Sequence, residues 1–358
     1  GSLSGKVTVG VRVLSFRGRV VVDGADPSMA ALEIEIVQRG VRILAVQGRL
    51  NSATGELENG AVSDGTNTSF CKAWRNPWNR TNRADALAGY HTCRFDLSDT
   101  TLASAQAPVG SGFASFTVNP TTGKLTVAGR LADGTAVTIA SFAGPQGQVP
   151  LFRTLYAAAA RGSVLGSIQI QPVMSGGTLA GGAMSWLRPA NAARSNRLYR
   201  PGFPSVLEVE IAGGSYKVPT PASPRVLGLT ETGNVIELNF EGGDLATALP
   251  ATPAVVATVD TRNRAVFDPS PQVNTRKVVL TLTPRTGAFK GRFVLSEPNP
   301  LLLPGVVKNV VRTVAYQGLI VGNEGAGYFI IPLLPQVTGD TPSNTPQEGG
   351  GVTIKPVP

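Results

Sequence analysis

The strongest constraint on the fold of this chain is a two-residue period of apolar and polar side chains between residues 113 and 142. Leu125, Val127 and Leu131 fall on one face of this stretch, and charged or hydroxyl side chains fall on the other. This is the period of a β-strand with one buried face. The phrase Asn-Pro-Thr-Thr-Gly at 119–123 interrupts the pattern with residues that favour a tight hairpin turn. The stretch is therefore predicted to be an antiparallel β-meander.

Related turn phrases occur twice more, as Asn-Ser-Ala-Thr-Gly at 51–55 and Thr-Pro-Arg-Thr-Gly at 283–287. A longer echo links residues 151–172 with residues 311–332, because each segment has an Arg-Thr strand followed by a second strand that ends in proline. Repetition of one hairpin unit predicts an all-β fold of antiparallel meanders. The meanders are expected to form two barrel-like or sandwich-like lobes that arose by duplication, or to close together into one large barrel.

Composition supports this fold class. The 358 residues include 42 glycines and 27 prolines, and only 15% of them are charged, so turns are frequent and elements are short. The best helical candidate, at 155–160, is too short for an amphipathic helix and lies between strand-like runs. No stretch approaches the roughly 18 uninterrupted apolar residues that a membrane-spanning helix requires.

Residues 188–205 contain three prolines and no alternation, which is typical of a boundary between lobes. Residues 1–200 are therefore predicted to form an amino-terminal β lobe, with a long loop excursion between Cys71 and Cys93. Residues 201–335 are predicted to form a carboxy-terminal β lobe. Residues 336–358 are predicted to be a flexible tail with one last short strand. The initial Gly-Ser resembles the remnant of an expression tag, so any export signal would have been removed with the natural amino terminus, and its absence carries no information.

Cys71 and Cys93 are the two cysteines of the chain. They flank one loop and lie outside any Cys-x-x-Cys motif, so the pair is predicted to form a disulfide rather than a metal site. The alternative is two buried free thiols. A disulfide would indicate an exported protein.

The chain is poor in the residues from which catalytic sites are built. His91 is the only histidine, and its place on a strand near Cys93 favours a packed structural role over catalysis. Glutamates that alternate with apolar residues are expected to lie on the solvent face of strands; the pairs are Glu33/Glu35, Glu56/Glu58 and Glu208/Glu210. The protein is therefore predicted not to be an enzyme and to need no cofactor or metal.

Basic charge is concentrated in two predicted loops. Residues 71–93 carry a net charge of +3 and residues 188–200 a net charge of +4, out of +9 for the whole chain. Trp74 and Trp78 lie in the first of these loops and could stack on sugar rings beside the arginines. Alternatively, the tryptophans anchor the loop on the barrel and the arginines are its solvated rim. The candidate binding residues are Trp74, Arg75, Trp78, Arg80, Arg83, Arg194, Arg197 and Arg200.

Several phrases resemble the C-terminal β-rich domain of large exported bacterial surface proteins, a domain that typically follows immunoglobulin-like or other repeats. The resemblance covers most of the chain, with the motifs in the same order, but the excursion between Cys71 and Cys93 is not part of that pattern. It implies export and a β fold, and it brings no assigned activity and no catalytic residues. The matching phrases lie at 122–135, 149–156, 182–189, 199–203, 288–293, 316–318 and 327–332.

These observations predict a non-enzymatic, exported β domain at the cell surface or outside the cell, with a structural, adhesive or interaction role. The alternative is a carbohydrate-binding module for an acidic glycan. The expected partners are an anionic polysaccharide or another surface protein, and nucleic acid is not expected. An outer-membrane barrel is least favoured, because aromatic residues make up only 6% of the chain and charged residues take the outward strand positions.

Overall fold

The computed structural model describes residues 1–9, 12–156, 161–174, 177–193, 195–220, 225–245, 255–268, 274–303 and 308–357. Strands make up 56% of the chain and helix 2%, which confirms the predicted all-β class. The helical residues include two 3₁₀ turns, Asp85–Leu87 and Val226–Gly228. Within the described ranges, no helix has the length and apolarity needed to cross a membrane.

The first sheet is a six-stranded antiparallel meander in which every strand pairs with its neighbour in sequence. On β3, Leu32, Ile34 and Ile36 are buried while Glu33 and Glu35 are exposed, so the alternation read from the sequence matches the two faces of this strand. The strands are β1 (Ser2–Val9), β2 (Arg12–Val22), β3 (Met29–Gln38), β4 (Val41–Asn51), β5 (Leu57–Ser63) and β6 (Thr68–Phe70).

The second sheet is an eight-stranded antiparallel meander whose first and last strands pair, so it is nearly closed into a barrel. We call it the first barrel. Its open seam lies between β10 and β11. The strands are β7 (Gly89–Leu97), β8 (Gly112–Val118), β9 (Lys124–Arg130), β10 (Ala136–Phe142), β11 (Gln148–Leu155), β12 (Gly162–Pro172), β13 (Thr178–Leu187) and β14 (Leu207–Ser215).

The meander predicted over residues 113–142 is confirmed as β8, β9 and β10 of the first barrel. Leu125, Val127 and Leu131 are buried in its core. At the turn, the Gly123 N–H donates to the Asn119 carbonyl over 2.8 Å. Gly123 has a φ of 64°, a conformation that glycine adopts without the steric cost that other residues carry.

The third sheet, which we call the second barrel, repeats this topology with eight strands and a first strand paired to the last. Its open seam lies between β17 and β18, and Phe240, Phe293, Tyr316 and Phe329 form an aromatic cluster in its interior. The strands are β15 (Val235–Gly242), β16 (Val255–Val259), β17 (Ala265–Phe267), β18 (Val279–Thr283), β19 (Ala288–Pro298), β20 (Asn309–Val321), β21 (Glu324–Pro332) and β22 (Gln347–Pro356). Two barrel-like sheets are therefore present rather than one large barrel.

The barrels lie side by side, with β7 and β8 against β20 and β21. At the end of the first barrel where β7 begins, which we call the proximal end, tyrosine hydroxyls cross to a hairpin of the second barrel. Tyr90 donates to the Thr286 carbonyl over 3.0 Å and Tyr216 donates to the Pro284 carbonyl over 2.6 Å. This hairpin is the third of the repeated turn phrases, so it serves as a docking point between the barrels.

Contacts continue to the opposite, distal end of the first barrel. Near that end, the rings of Phe113 and Tyr328 stack at 6.1 Å. At the distal end the Gly349 N–H donates to the Tyr199 hydroxyl over 3.2 Å, and Leu198 forms a parallel β-bridge with Gln347. The two barrels are thus joined along their length.

The first barrel contains strands from both sides of the predicted boundary near residue 200. Trp186 of β13 pairs with Leu207 of β14, because the long segment between these strands leaves the first barrel and returns to it. Within the predicted tail, β22 pairs with both β21 and β15 and closes the second barrel. As a statement about independently folding domains, the division into 1–200, 201–335 and 336–358 stays a prediction.

The predicted disulfide between Cys71 and Cys93 is wrong, since both cysteines are free. Cys93 lies on β7 inside the core of the first barrel, whereas Cys71 packs against the core of the first sheet. The two thiols are separated because each fills a different core. Burial raises the pKa of Cys93 to about 12, which keeps it in the unreactive thiol form at neutral pH.

Candidate functional site

The excursion after Cys71 joins the first sheet to the first barrel by fastening two of the repeated turn phrases. The Arg75 N–H donates to the Gly55 carbonyl over 2.7 Å in the first of these turns. The Asn76 side chain donates to the Thr122 carbonyl over 2.9 Å in the second. The segment is thus tied to the turns at 51–55 and 119–123 through backbone carbonyls, which explains why it lacks a strand period.

Trp78 is an anchor of this segment. Its indole N–H donates to the Ala143 carbonyl over 2.6 Å, and its ring packs against the core of the first barrel. The ring covers Gly123, where a Cβ would lie 2.1 Å from Trp78 Cδ1. Two features therefore require glycine at position 123: the positive φ and the close approach of the Trp78 ring.

Trp74 is also directed toward the protein. Its ring meets Phe142 edge to face at 6.1 Å, and its backbone forms a bridge with Glu56. The indole nitrogen is buried and has no hydrogen-bond partner among the described residues. Neither tryptophan of the loop offers a ring that stands free for sugar stacking.

The arginines of this loop differ in their surroundings. Arg83 binds both carboxylate oxygens of Asp85 and also donates to Thr121 Oγ1 over 3.2 Å. The hydrogen bond from Arg83 holds the pKa of Asp85 below its usual value. Arg75 and Arg80 are exposed, so their charge faces solvent.

The second basic loop lies at the distal end, because it connects the end of β13 to the start of β14. Arg197 donates to the carbonyls of Thr345 and Pro342, each over 2.7 Å, and so clamps the first barrel to the segment before β22. Arg200 donates to the Ala192 carbonyl over 2.7 Å. Arg194 lies outside the described residues.

The two predicted basic loops therefore do not meet. The tryptophan loop is fastened to the turn at 119–123 at the proximal end, and the second loop lies at the distal end of the same barrel. Those arginines of the two loops that the structure describes therefore do not form a single binding surface.

A buried polar cluster at the distal end of the first barrel was missed by sequence reasoning, which counted Arg188 only in the charge of the loop at 188–200. Arg188 pairs with the carboxylate of Asp133, and both side chains are buried. Arg188 also donates to the Leu198 carbonyl over 2.6 Å and to Asn196 Oδ1 over 3.1 Å. Its guanidinium thus has partners on three sides.

Aromatic rings complete the enclosure of Arg188. Its Cζ lies 4.8 Å from the ring centroid of Tyr156, 5.6 Å from that of Tyr199 and 5.9 Å from that of Phe203, all within cation–π range. The Tyr156 hydroxyl donates to Asp133 over 2.9 Å and accepts from the Trp186 indole over 2.9 Å. Desolvation raises the pKa values of Tyr156 and Tyr199 above the usual value.

This cluster gathers four of the phrases that carry the resemblance to exported surface proteins, namely those at 122–135, 149–156, 182–189 and 199–203. They come from three connections at the distal end of the barrel. Because the ionic groups are paired, hydrogen-bonded and buried, the cluster acts as a plug for that end rather than as an open reactive site. The sequence signal that could have led to this cluster is the set of charged and aromatic residues within these phrases, namely Asp133, Tyr156, Trp186, Arg188 and Tyr199.

His91 is enclosed in the first barrel. Its Nε2 lies 2.6 Å from Thr178 Oγ1, its Nδ1 lies 3.0 Å from the Gly89 carbonyl, and its ring stacks on Phe116 at 4.8 Å. These are the contacts of a packed, hydrogen-bonded histidine. Desolvation by burial lowers its pKa from the ordinary 6.5, and the hydrogen bond to Gly89 opposes this.

The pH dependence of stability follows from that shift. Because the folded protein resists protonation of His91 more than the unfolded chain does, the contribution of His91 is complete above about pH 6.5 and is lost as the pH falls below it. We expect Tm to fall between pH 7.5 and pH 5 by more in the native protein than in a His91→Gln variant, measured by calorimetry at constant ionic strength. Equal slopes for the two proteins would contradict this assignment.

In the part of the chain that the structure describes, no group of three or more His, Cys, Asp and Glu side chains is arranged to bind a metal ion. The glutamates of β3 and of β14 are exposed and alternate with buried residues, as expected for the outer faces of these sheets. Comparison with known protein families, with curated proteins and with solved structures finds no match.

Proposed function

We propose that this chain is a non-enzymatic structural or adhesive module of an exported cell-surface protein. The observation that carries the proposal is the use made of its polar and aromatic side chains, which fasten two filled barrels to each other and to the first sheet. Trp78, Arg197 and Tyr90 all donate to backbone carbonyls of a neighbouring turn or barrel. Because these side chains form hydrogen bonds between the sheets, they hold the sheets in a fixed relative orientation.

The barrel interiors support the same role. In the second barrel the space is taken by aromatic rings, with Phe293 and Phe329 packed edge to face at 5.4 Å. In the first barrel the distal end is plugged by the cluster around Arg188. Barrels that carry ligands keep interior volume for them, whereas filled barrels present only their outer faces and loops to partners.

The carbohydrate-binding alternative draws its support from exposed cations beside Trp74. Lys72, Arg75 and Arg80 are exposed on this loop and would attract an acidic glycan. The inward direction of both indoles weighs against stacking on a sugar ring. The inward direction of the two indoles therefore favours the structural or adhesive role over glycan binding.

A binding experiment separates the two functions. The native protein and an Arg75→Ala, Arg80→Ala variant are titrated with acidic oligosaccharides at 50 mM and 300 mM salt, with Arg262→Ala, another exposed arginine, as the matched control. For a structural or adhesive module we expect no saturable binding at 300 mM salt. Saturable binding that is lost in the double variant and retained in Arg262→Ala would favour the glycan-binding module instead.

A further inference from the structure

The second barrel has a buried ion pair of its own at the end where β19 finishes and β20 begins. Arg312 is 1% exposed, and two of its guanidinium nitrogens donate to one carboxylate oxygen of Glu297. The third nitrogen donates to the Pro332 carbonyl over 2.7 Å. Arg312 and Glu297 therefore balance each other, as Arg188 and Asp133 do in the first barrel.

Arg276 brings a second cation to this pair. It lies just before β18, where its carbonyl accepts from the Val294 N–H over 2.8 Å, so it is held beside β19. Arg276 is partly buried, and its guanidinium has no hydrogen bond or ion pair with any residue that the structure describes. Glu297 attracts it from a longer distance but is bound by Arg312. Two arginines thus share one carboxylate.

The positive charge around Arg276 exceeds the negative charge. Lys277 is exposed beside it, so Arg276, Lys277 and Arg312 carry three positive charges against the one negative charge of Glu297, a net of +2. Residues outside the described ranges include no aspartate and no glutamate, so they cannot supply a carboxylate. Desolvation lowers the pKa of Arg276, and Glu297 opposes this shift. A partly desolvated cation of this kind is stabilised by an incoming anion.

The loop that carries Arg276 and Lys277 has a fixed conformation. The Asn274 side chain accepts from the Val278 N–H over 2.8 Å and donates to the Val278 carbonyl over 2.9 Å. The Lys277 N–H donates to the Asn274 carbonyl over 3.1 Å, and Lys277 has a φ of 52°, a left-handed conformation that interrupts the strand just before β18. Because these bonds fix the loop before a ligand arrives, binding loses little free energy to ordering it.

A cleft of about 360 Å³ lies between this loop and the strands β19 and β20, which is within the size range of small-ligand sites. Arg276 and Lys277 line it together with Leu295 and Val311. A guanidinium binds a carboxylate through two parallel hydrogen bonds, and the two apolar side chains offer a surface to an aliphatic group. A sugar acid would place hydroxyl groups against that surface, so the lining favours a carboxylate that has an apolar neighbour.

We propose that this cleft binds an acidic peptide segment of a partner protein, with a carboxylate of the peptide paired to Arg276 and an adjacent apolar side chain packed on Leu295 and Val311. Such binding rests on the adhesive role proposed above and gives that role a partner of defined chemistry. The volume of the cleft accommodates only a short stretch of peptide, so the carboxylate and its apolar neighbour are the whole of the recognised element.

The test is a calorimetric titration of the whole chain, residues 1–358, with three capped dipeptides at low salt. Acetyl-Leu-Glu-amide supplies a side-chain carboxylate, acetyl-Leu-Gln with a free carboxy terminus supplies a main-chain carboxylate, and acetyl-Leu-Gln-amide supplies neither. We expect an acidic dipeptide to bind on the order of 10-fold more tightly than the neutral one, as for a hydrogen bond to a charged group. The tighter of the two acids identifies the source of the carboxylate.

Substitutions of Arg276 show whether its guanidinium is the binding group. Arg276→Gln is expected to lower the affinity for the acidic dipeptide to that for the neutral one, and to leave the protein folded, because the side chain has no partner to lose among the described residues. Arg276→Lys keeps the charge without the planar fork, so an intermediate affinity is expected. Arg262→Gln, at another exposed arginine, is the matched control and is expected to bind as the native protein does.

Three results would overturn the proposal. Equal affinities for the acidic and neutral dipeptides would show that no carboxylate is recognised, and unchanged binding in Arg276→Gln would place the ligand elsewhere. Tighter binding of glucuronate than of either acidic dipeptide would assign the cleft to an acidic glycan. In the first two cases the structural role proposed above would stand, because the titration of the Arg75→Ala, Arg80→Ala variant tests that role at a different loop.

Discussion

Replacing Arg188 by methionine is expected to lower the free energy of unfolding of the first barrel by about 3–5 kcal/mol, the range for breaking a buried ion pair. The reason is that the carboxyl group of Asp133, whose side chain is 0% exposed, would be left buried without a cation beside it. The aromatic enclosure would also lose the group it surrounds. Urea denaturation followed by tryptophan fluorescence measures the effect, since Trp186 donates to Tyr156 within the cluster.

Two further variants show whether the pair is the cause. Arg188→Lys keeps the charge but has no planar fork to reach Asp133 and the Leu198 carbonyl together, so an intermediate loss is expected. In an Arg188→Met, Asp133→Asn double variant, the loss is expected to be smaller than the sum of the two single losses, because no unpaired charge remains. A loss below about 1 kcal/mol for Arg188→Met would contradict the role of a paired plug.

Replacing Phe329 by alanine is expected to destabilise the second barrel by about 3–5 kcal/mol, as for other large-to-small changes of buried aromatic residues. The Phe329 ring is 0% exposed and packs edge to face with Phe293 and Phe240. Its neighbour across the sheet is Gly350, which has no side chain to fill the space left behind. Thermal unfolding and urea titration of the variant measure the loss.

The glycine offers a reciprocal test of this packing. A Gly350→Ala change alone is expected to destabilise, because the new Cβ would lie 2.0 Å from the ring, whereas in the Phe329→Ala background it is expected to restore part of the loss. Val256→Ala, at a side chain 47% exposed on β16, is the control and should change stability by less than about 0.5 kcal/mol. Full additivity of the two changes would contradict direct contact.

Much of the fold could be predicted from local pattern. Alternation over residues 113–142 correctly predicted three strands and their inward face, because burial on one side of a pleated strand imposes that period. Repetition of the turn phrase indicated that one hairpin unit recurs, and the two barrels share one topology. Sheet membership around residue 200 was not readable, because the pairing of β13 with β14 depends on where a long irregular segment returns.

The contacts of the candidate site residues could not be predicted from the local sequence pattern. Trp78 and Arg197 lie in loops and were candidate binding residues in the sequence, yet both donate to backbone carbonyls of distant segments. Cys71 and Cys93 flank one loop, yet they lie in different cores. In each case the partner is remote in sequence, so spacing along the chain carried no information about it.

By itself, the sequence determined the β class, the turns and the inward faces, because these depend on side-chain alternation and backbone preferences within a few residues. Only the tertiary structure decided which strands close each barrel, that Arg188 meets Asp133 beneath three aromatic rings, and that the basic loops lie at opposite ends. Those outcomes depend on close packing among segments far apart in the chain, where a buried charge is stable only if a partner arrives from elsewhere.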